Sequence, residues 1–185
     1  MKTPSILFLH GPSSSGKTTL AHALQHAAPV PLWHLSIDHF RDSGAWPMSR
    51  FRHRELDWTQ HRAAFFDGFH RAVAASASAG NHLILEHILD DDSWGADLKA
   101  LFVPFDVVFV GLTCSLDDLI RREHKRGDRP TGSAAEDYAT VHANRTYDLM
   151  LDGTSDSRTN AQTVLEYWQA GTRISEFARE NSATP

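Results

Sequence analysis

The feature that most constrains the fold of this chain is the run GPSSSGKT at residues 11–18. The apolar stretch ILFL at residues 6–9 precedes it, and LAHAL at residues 20–24 follows it with helical character. A strand, a loop of the form G-x-x-x-x-G-K-[ST] and a helix are together typical of a phosphate-binding loop, whose backbone amides and helix N-terminus surround phosphate oxygens. The sequence therefore predicts a binding site for a nucleoside triphosphate at this loop.

The positions of residues 11–18, hereafter the phosphate loop, have separate expected roles. The Lys17 ammonium is expected to reach the β- and γ-phosphates. The Thr18 hydroxyl is expected to coordinate Mg²⁺, which makes Mg²⁺ a predicted cofactor. The residues predicted to bind the nucleotide in this loop are Gly11, Ser13, Ser14, Ser15, Gly16, Lys17 and Thr18.

The composition restricts the classes of partner. The 185 residues are enough for one domain with a full core, and we predict a single domain over residues 1–185. The formal net charge of −5 argues against general affinity for nucleic acids or anionic membranes. Residues 1–10 hold an apolar run too short for a signal peptide or membrane span, and the single Cys114 cannot form an internal disulfide. These features predict a cytoplasmic protein without nucleic-acid or membrane partners, and leave the oligomeric state open, a homo-oligomer included.

Apolar runs alternate with helical patterns along the chain. The predicted strands are residues 6–9, 32–37, 82–85, 106–113 and 147–151. The predicted helices are residues 17–27, 58–79, 94–102, 116–126 and 161–180, and residues 41–55 are predicted as a loop or short helices. This alternation indicates parallel β-α-β units, so the predicted fold class is α/β, a three-layer sandwich around a parallel sheet.

Carboxylates follow two of the predicted strands, where ligands of parallel sheets bind. Asp38, after the second strand, is the candidate catalytic base, because a kinase needs a carboxylate that orients the accepting hydroxyl and takes its proton. The alternative is that Asp38 caps a helix. Glu86, after the third strand, is predicted to hold Mg²⁺ through a water or to contact the substrate, or else to be a solvated strand-end carboxylate. His39 and His87 lie beside these carboxylates and are further candidates for substrate contact.

Basic residues recur around residues 121–133, which we predict to form a lid. Arg122 and Arg126 are four residues apart and share one face of a predicted helix, and Arg129 lies beyond the helix. Guanidinium groups on a closing lid can meet the charge that develops on the transferring phosphoryl group. We therefore predict catalytic roles for Arg126 and Arg129 and a nucleotide-binding role for Arg122. The alternative is a solvated basic face paired with neighbouring acidic residues.

Residues 39–57 form a predicted insertion on the acceptor side of the site. Arg50, Arg52 and Arg54 alternate along it and could bind an anionic part of an acceptor, with Arg52 as the candidate substrate residue. Equally, they could belong to an exposed turn.

Taken together, these motifs resemble the chloramphenicol phosphotransferase family of P-loop small-molecule kinases. The resemblance implies a five-stranded parallel sheet in the order 2-3-1-4-5, ATP as donor, a requirement for Mg²⁺ and transfer to a hydroxyl of a small molecule such as an antibiotic. Lys17 and Thr18 match the phosphate and magnesium positions, and Asp38 matches the base. Arg126 and Arg129 match the lid arginines. The resemblance covers residue 6 to about residue 168 and includes Arg126-Gly127-Asp128-Arg129, Gly132-Ser133-Ala134-Ala135, Val141-His142, Tyr147-Asp148 and Asp152.

Two departures from the family pattern concern the acceptor. The family's enzyme has two aspartates where this chain has Glu86 and His87, and residues 39–57 are far more basic and aromatic here. We therefore expect the same reaction on an acceptor other than chloramphenicol. The alternatives are a nucleoside or nucleotide kinase with an anionic acceptor, and a partner-regulated P-loop ATPase.

Overall fold

The structure of the protein, a computed structural model, describes residues 3–126 and 132–179. Its strands are β1 (Ser5–His10), β2 (Leu32–Ser36), β3 (His82–Glu86), β4 (Asp106–Thr113) and β5 (Leu149–Asp152). Its helices are α1 (Lys17–Ala27), α2 (Ile37–Asp42), α3 (Met48–Arg52), α4 (Trp58–Ser78), α5 (Asp92–Phe102), α6 (Leu116–Arg126), α7 (Ser133–Thr140) and α8 (Ser157–Ala170).

The five strands form one parallel sheet in the order β2-β3-β1-β4-β5, which confirms the predicted order. Every residue of β1, the central strand, is buried, because helices cover both faces of a parallel sheet. Alternate residues of β1 point into different cores, Ile6 and Phe8 into one and Leu7 and Leu9 into the other. The predicted three-layer architecture is therefore confirmed.

Each core is formed by a different set of helices. The core on one face contains Phe69 of α4 and Leu98 of α5, together with Phe177 from the C-terminal segment. The core on the other face contains Leu20 of α1 and Val164 of α8. The carboxyl ends of all five strands lie at one edge of the sheet, where the phosphate loop leaves β1.

Several element boundaries differ from those predicted. β2 ends at Ser36 rather than at Ile37, because the Ser36 hydroxyl accepts a hydrogen bond from the Asp38 amide at 3.3 Å and begins α2. The prediction that the last helix reaches residue 180 was wrong. α8 ends at Ala170, and Gly171 takes the left-handed conformation (φ 78°) that commonly ends helices. α7 was not predicted as a helix.

None of the helices in the described part of the chain combines the length and apolar character needed to cross a membrane.

Candidate active site

The phosphate loop passes from β1 into α1 with the backbone geometry that its glycines allow. Gly16 precedes α1 with φ 104°, a conformation that side chains other than that of glycine rarely permit. At Gly11, a Cβ atom would lie 2.4 Å from the carbonyl oxygen of Leu112 on β4, so only glycine fits at this approach. The loop therefore lies directly against the end of β4, and the first amides of α1 face the loop without a side-chain cap.

Lys17 is buried at the base of this loop. Its Nζ donates hydrogen bonds to the carbonyl oxygens of Gly11 at 2.8 Å and Pro12 at 2.7 Å. The side chain lines the large cavity at this edge of the sheet. The structure thus places a cation beside the loop amides, where phosphate oxygens would add negative charge.

Thr18, Glu86 and His34 form a connected set of polar side chains. The Thr18 hydroxyl donates to Glu86 Oε1 at 2.8 Å, and His34 Nε2 lies 3.1 Å from Glu86 Oε2. Burial alone would raise the pKa of Glu86, but the hydrogen bond from His34 and the charge of Lys17 outweigh it, and the pKa is lowered. Glu86 is therefore a buried, ionised carboxylate beside the threonine hydroxyl.

Thr18 and Glu86 fit a Mg²⁺ site by their chemistry. Mg²⁺ is bound in proteins by one or two oxygen ligands together with waters and substrate phosphates, and both residues present oxygens. Among the described residues, no group of three or more His, Cys, Asp or Glu side chains could hold a metal ion by itself. A cation here would therefore depend on the phosphates of a nucleotide.

Asp38 lies in the first turn of α2 and lines the same cavity. Arg41 follows one turn later, and its Nη2 lies 2.7 Å from Asp38 Oδ1. The same guanidinium also contacts Asp42 Oδ2 at 2.6 Å. Arg41 thus holds the Asp38 carboxylate and lines the cavity with it. Sequence reasoning missed Arg41, and recognising residues 37–42 as a helix would have revealed its i, i+3 relation to Asp38.

The cavity has a volume of about 730 Å³ and extends to both sides of β1. On the side of β2 and β3 it is lined by α2, α4 and the segment after β3, which we call the acceptor side. On the side of β4 and β5 it is lined by α6 and the β5–α8 loop, which we call the donor side. The acceptor-side lining includes Asp38, Arg41, Phe66, Ile88 and Asp90, and the donor-side lining includes Arg122, Lys125, Gly153 and Thr154.

On the donor side, Arg122 joins the phosphate loop to the β5–α8 loop. Its Nη1 donates to Ser14 O at 3.2 Å and its Nη2 to Gly153 O at 3.1 Å. The two loops are also in backbone contact, since a Cβ at Gly153 would lie 1.9 Å from Ser15 O. Arg122 therefore lies at the phosphate loop, and its role in nucleotide binding stays a prediction.

Three other candidates lie in different surroundings. Arg52 is 70% exposed, lies 3.6 Å from Asp42 and is not among the described residues that line the cavity. His39 is exposed, with its ring 4.7 Å from that of His34. His87 lines the cavity but is buried, and its Nε2 lies 3.0 Å from that of His70. Their contacts with a substrate stay predictions.

The predicted lid, residues 121–133, lies partly outside the described residues, and its first six residues form the end of α6. Residues 127–131, including Arg129, and the side chain of Arg126 belong to the part of the chain that the structure does not describe. The lid and the roles of both arginines therefore stay predictions.

The parallel sheet, the phosphate loop at the end of β1 and the strand-end carboxylates define the class of P-loop phosphotransferases. Within that class, the chain belongs to the family described as chloramphenicol phosphotransferase-like protein, whose model matches residues 4–169. A Mycobacterium tuberculosis H37Rv protein named "Putative O-phosphotransferase" is 29% identical over 174 residues, and the match covers 84% of this chain and 77% of that protein.

Solved kinase structures share the fold. The APS kinase of Mycobacterium tuberculosis, in complex with AMPPNP and APS, has a TM-score of 0.67 and 18% identity, covering 91% of this chain and 98% of that one. A sugar kinase of Janibacter sp. HTCC2649 has a TM-score of 0.65 and 22% identity, covering 94% of this chain and 100% of that one. At such identities the likeness concerns the fold, which is that of P-loop kinases.

Proposed function

We propose that the protein uses ATP and Mg²⁺ to phosphorylate a hydroxyl of a small molecule. The observation that carries this proposal is that one cavity is lined by both the phosphate loop and the Asp38 carboxylate. A kinase requires the phosphates of its donor and the hydroxyl of its acceptor to meet in one space. The family membership supports the reaction class.

On the donor side, the loop amides and the Lys17 ammonium bind the phosphates, and Arg122 holds the loop from the side of β5. The Thr18 hydroxyl and Glu86 would hold Mg²⁺, Glu86 by way of a water. Mg²⁺ bound there supplies positive charge to the phosphate oxygens. Lys17 already lies at two loop carbonyls, so it needs only a side-chain rearrangement to reach a phosphate.

On the acceptor side, Asp38 accepts a hydrogen bond from the hydroxyl and takes its proton as the new bond forms. The hydroxyl oxygen bonds to the γ-phosphorus, and the bond between this phosphorus and the β,γ-bridging oxygen breaks. ADP leaves with that oxygen. Arg41 keeps the carboxylate in place during the transfer, because its guanidinium lies 2.7 Å from Asp38 Oδ1.

The surroundings of the arginines give the nucleotide-kinase alternative little support. Arg50 lies 3.0 Å from Glu55 and Arg52 lies 3.6 Å from Asp42, and both side chains are more than half exposed. Neither is among the described residues that line the cavity. An anionic acceptor in the cavity would instead meet Asp38, whose neighbour Arg41 is already paired with Asp38 and Asp42. We therefore expect an uncharged or amine-bearing acceptor. An antibiotic is one such class of compound.

The proposal is tested by measuring ATP consumption and product mass with a panel of hydroxyl compounds. We expect Asp38→Asn to lower kcat by about 10²- to 10⁴-fold on the identified acceptor, since it removes the proton acceptor. Its affinity for ATP should stay within about twofold. The matched control is Asp42→Asn, which also removes a carboxylate from Arg41 but lies outside the cavity lining.

Two results would contradict the proposal. Wild-type turnover by Asp38→Asn would show that Asp38 is not the base. Nucleotide hydrolysis stimulated by a macromolecule, with no phosphorylated small molecule in the panel, would favour the partner-regulated ATPase.

A further inference from the structure

A row of hydrogen bonds adjoins the phosphate loop, made by side chains that the proposed reaction does not use. The Leu89 amide donates to His10 Nε2 at 3.1 Å, and His10 Nδ1 lies 2.8 Å from Tyr147 Oη. The same phenol lies 2.8 Å from His142 Nδ1, and His142 Nε2 lies 3.2 Å from Leu112 O. His10 is fully buried. We call this set the His10–Tyr147–His142 row.

The chemistry of the two ends determines the direction of every bond in this row. An amide can only donate, so His10 Nε2 accepts and the proton of a neutral His10 is on Nδ1, from which it donates to the phenol. A carbonyl can only accept, so His142 Nε2 donates to Leu112 and His142 Nδ1 accepts the phenol proton. Tyr147 is therefore the member that accepts from one histidine and donates to the other.

The directions in which the surroundings shift the pKa values of the row agree with this assignment. Burial and the charge of Lys17 lower the pKa of His10 well below its usual value. Burial also lowers the pKa of His142, and it raises the pKa of Tyr147. Two neutral imidazoles and a protonated phenol are the species that the bond directions require.

The row connects two groups that adjoin the first glycine of the phosphate loop. His10 precedes Gly11 in the chain, and Leu112 O lies where a Cβ of Gly11 would clash at 2.4 Å. The helix before this segment also contacts the loop, since the Ser13 amide donates to Asp137 Oδ2 at 2.8 Å. Residues 133–148 therefore contact the phosphate loop directly at Ser13, and they bond to His10 and Leu112, the two residues that adjoin Gly11.

We propose that Tyr147 is a positioning residue for the phosphate loop. Its hydroxyl holds His10 and His142 in single tautomers and orientations, which fixes the loop entry at Gly11 and the Leu112 carbonyl against it. Loop amides held in this way bind phosphates more tightly, because the loop loses less conformational entropy on binding. This inference rests on the proposed function, because it concerns nucleotide binding by the loop.

The test compares the wild type with Tyr147→Phe, which removes only the hydroxyl. The His10 Nδ1–H and His142 Nδ1 then lose their partner, and we expect Mg·ATP to bind about tenfold more weakly by calorimetry. The matched control is Tyr167→Phe, because the Tyr167 hydroxyl donates to Asp148 at 3.4 Å and has no part in the row. Tyr167→Phe should change the Mg·ATP affinity less than twofold.

A second measurement separates positioning from general destabilisation. Without nucleotide, we expect faster hydrogen exchange of the amides of residues 10–18 in Tyr147→Phe but not in Tyr167→Phe. His142→Phe removes the other end of the row and should have the same two effects if Tyr147→Phe does not fold. Wild-type affinity and wild-type loop exchange in either folded variant would overturn the inference. A wild-type protein that does not bind Mg·ATP would instead contradict the proposed function, and the exchange measurement would still decide the inference.

Discussion

Replacement of Gly153 by alanine tests the contact between the two loops that build the donor side. The new Cβ would lie 1.9 Å from Ser15 O, whereas real Cβ contacts are essentially never shorter than 3.0 Å, so the loops must separate by about 1.1 Å. One contacting atom is a Cβ and the other is the backbone oxygen of Ser15, so no side-chain rotation can relieve the clash. Arg122 spans the same gap with bonds of 3.2 Å and 3.1 Å, which a separation of this size would break.

The expected magnitudes follow from these contacts. Overpacking of this kind costs about 1–3 kcal/mol, and each lost hydrogen bond costs roughly 1 kcal/mol more. For a chain of this size, about 1 kcal/mol lowers Tm by about 2–4 °C. We therefore expect Gly153→Ala to lower Tm by about 5 °C or more. Mg·ATP should bind roughly 10- to 100-fold more weakly, because the amides around Ser15 move with the loop.

Thermal unfolding and calorimetric titration with Mg·ATP measure the two effects. The matched control is Gly68→Ala in α4, where a Cβ would meet nothing within 4 Å. Alanine is the better helix former by roughly 0.5–1 kcal/mol, so this control should raise Tm slightly and leave ATP binding unchanged. Wild-type Tm and affinity in Gly153→Ala would refute the loop contact itself.

Two further predictions concern stability. Burial lowers the pKa of His70 from 6.5 to about 4. As pH falls, His70 is therefore protonated in the unfolded chain before it is protonated in the folded one. The free energy of unfolding should fall by about 3 kcal/mol between about pH 6.5 and about pH 4. Urea unfolding at pH 7 and pH 4.5 should show a smaller loss in His70→Phe, and an equal loss would contradict the assignment. Asp148→Ala should lower the free energy of unfolding by about 3–5 kcal/mol, because the amides of Phe109, Ile174 and Ser175 lose their buried acceptor. Asp148→Asn keeps one carbonyl acceptor and should lose less in the same urea experiment, so equal losses would argue against the hydrogen bonds as the cause.

The parts of the fold that could be predicted are those whose residues carry a local signal. β1 and β4 are buried on both faces, so apolar runs reveal them directly. α2 was missed because its signal is short, and the Ser36 cap lies inside a run that also suits a strand. The end of α8 at Gly171 had a local signal, a glycine after a helical pattern, which outweighs the apolar residues beyond it.

The candidate site divides in the same way. Asp38 and Glu86 could be placed together because the carboxyl ends of neighbouring parallel strands share one edge. The His10–Tyr147–His142 row could not be found, since His10 and Tyr147 are 137 residues apart in the chain. Hydrophobic periodicity predicts which face of its helix or strand a residue occupies. It does not predict which side chain of another element contacts the residue there.

The acceptor side of the cavity combines an aromatic surface with carboxylates, and its Arg41 is already paired with Asp38 and Asp42, which limits the acceptor chemistry. The Arg62 guanidinium lies 5.0 Å from the Phe66 ring and 4.7 Å from the Trp94 ring, and it donates to Asp90 at 3.0 Å. The Arg62 guanidinium therefore already interacts with two aromatic rings and a carboxylate. Of these groups, Phe66 and Asp90 line the cavity. Burial raises the pKa of Asp90 in spite of the neighbouring Arg62, which shows that this part of the wall disfavours negative charge. A second anionic group beside Asp90 would therefore bind unfavourably. A flat apolar group against Phe66 and a hydrogen-bond donor towards Asp90 would suit this wall. We therefore expect uncharged or amine-bearing hydroxyl compounds to be phosphorylated in preference to hydroxy acids of the same size.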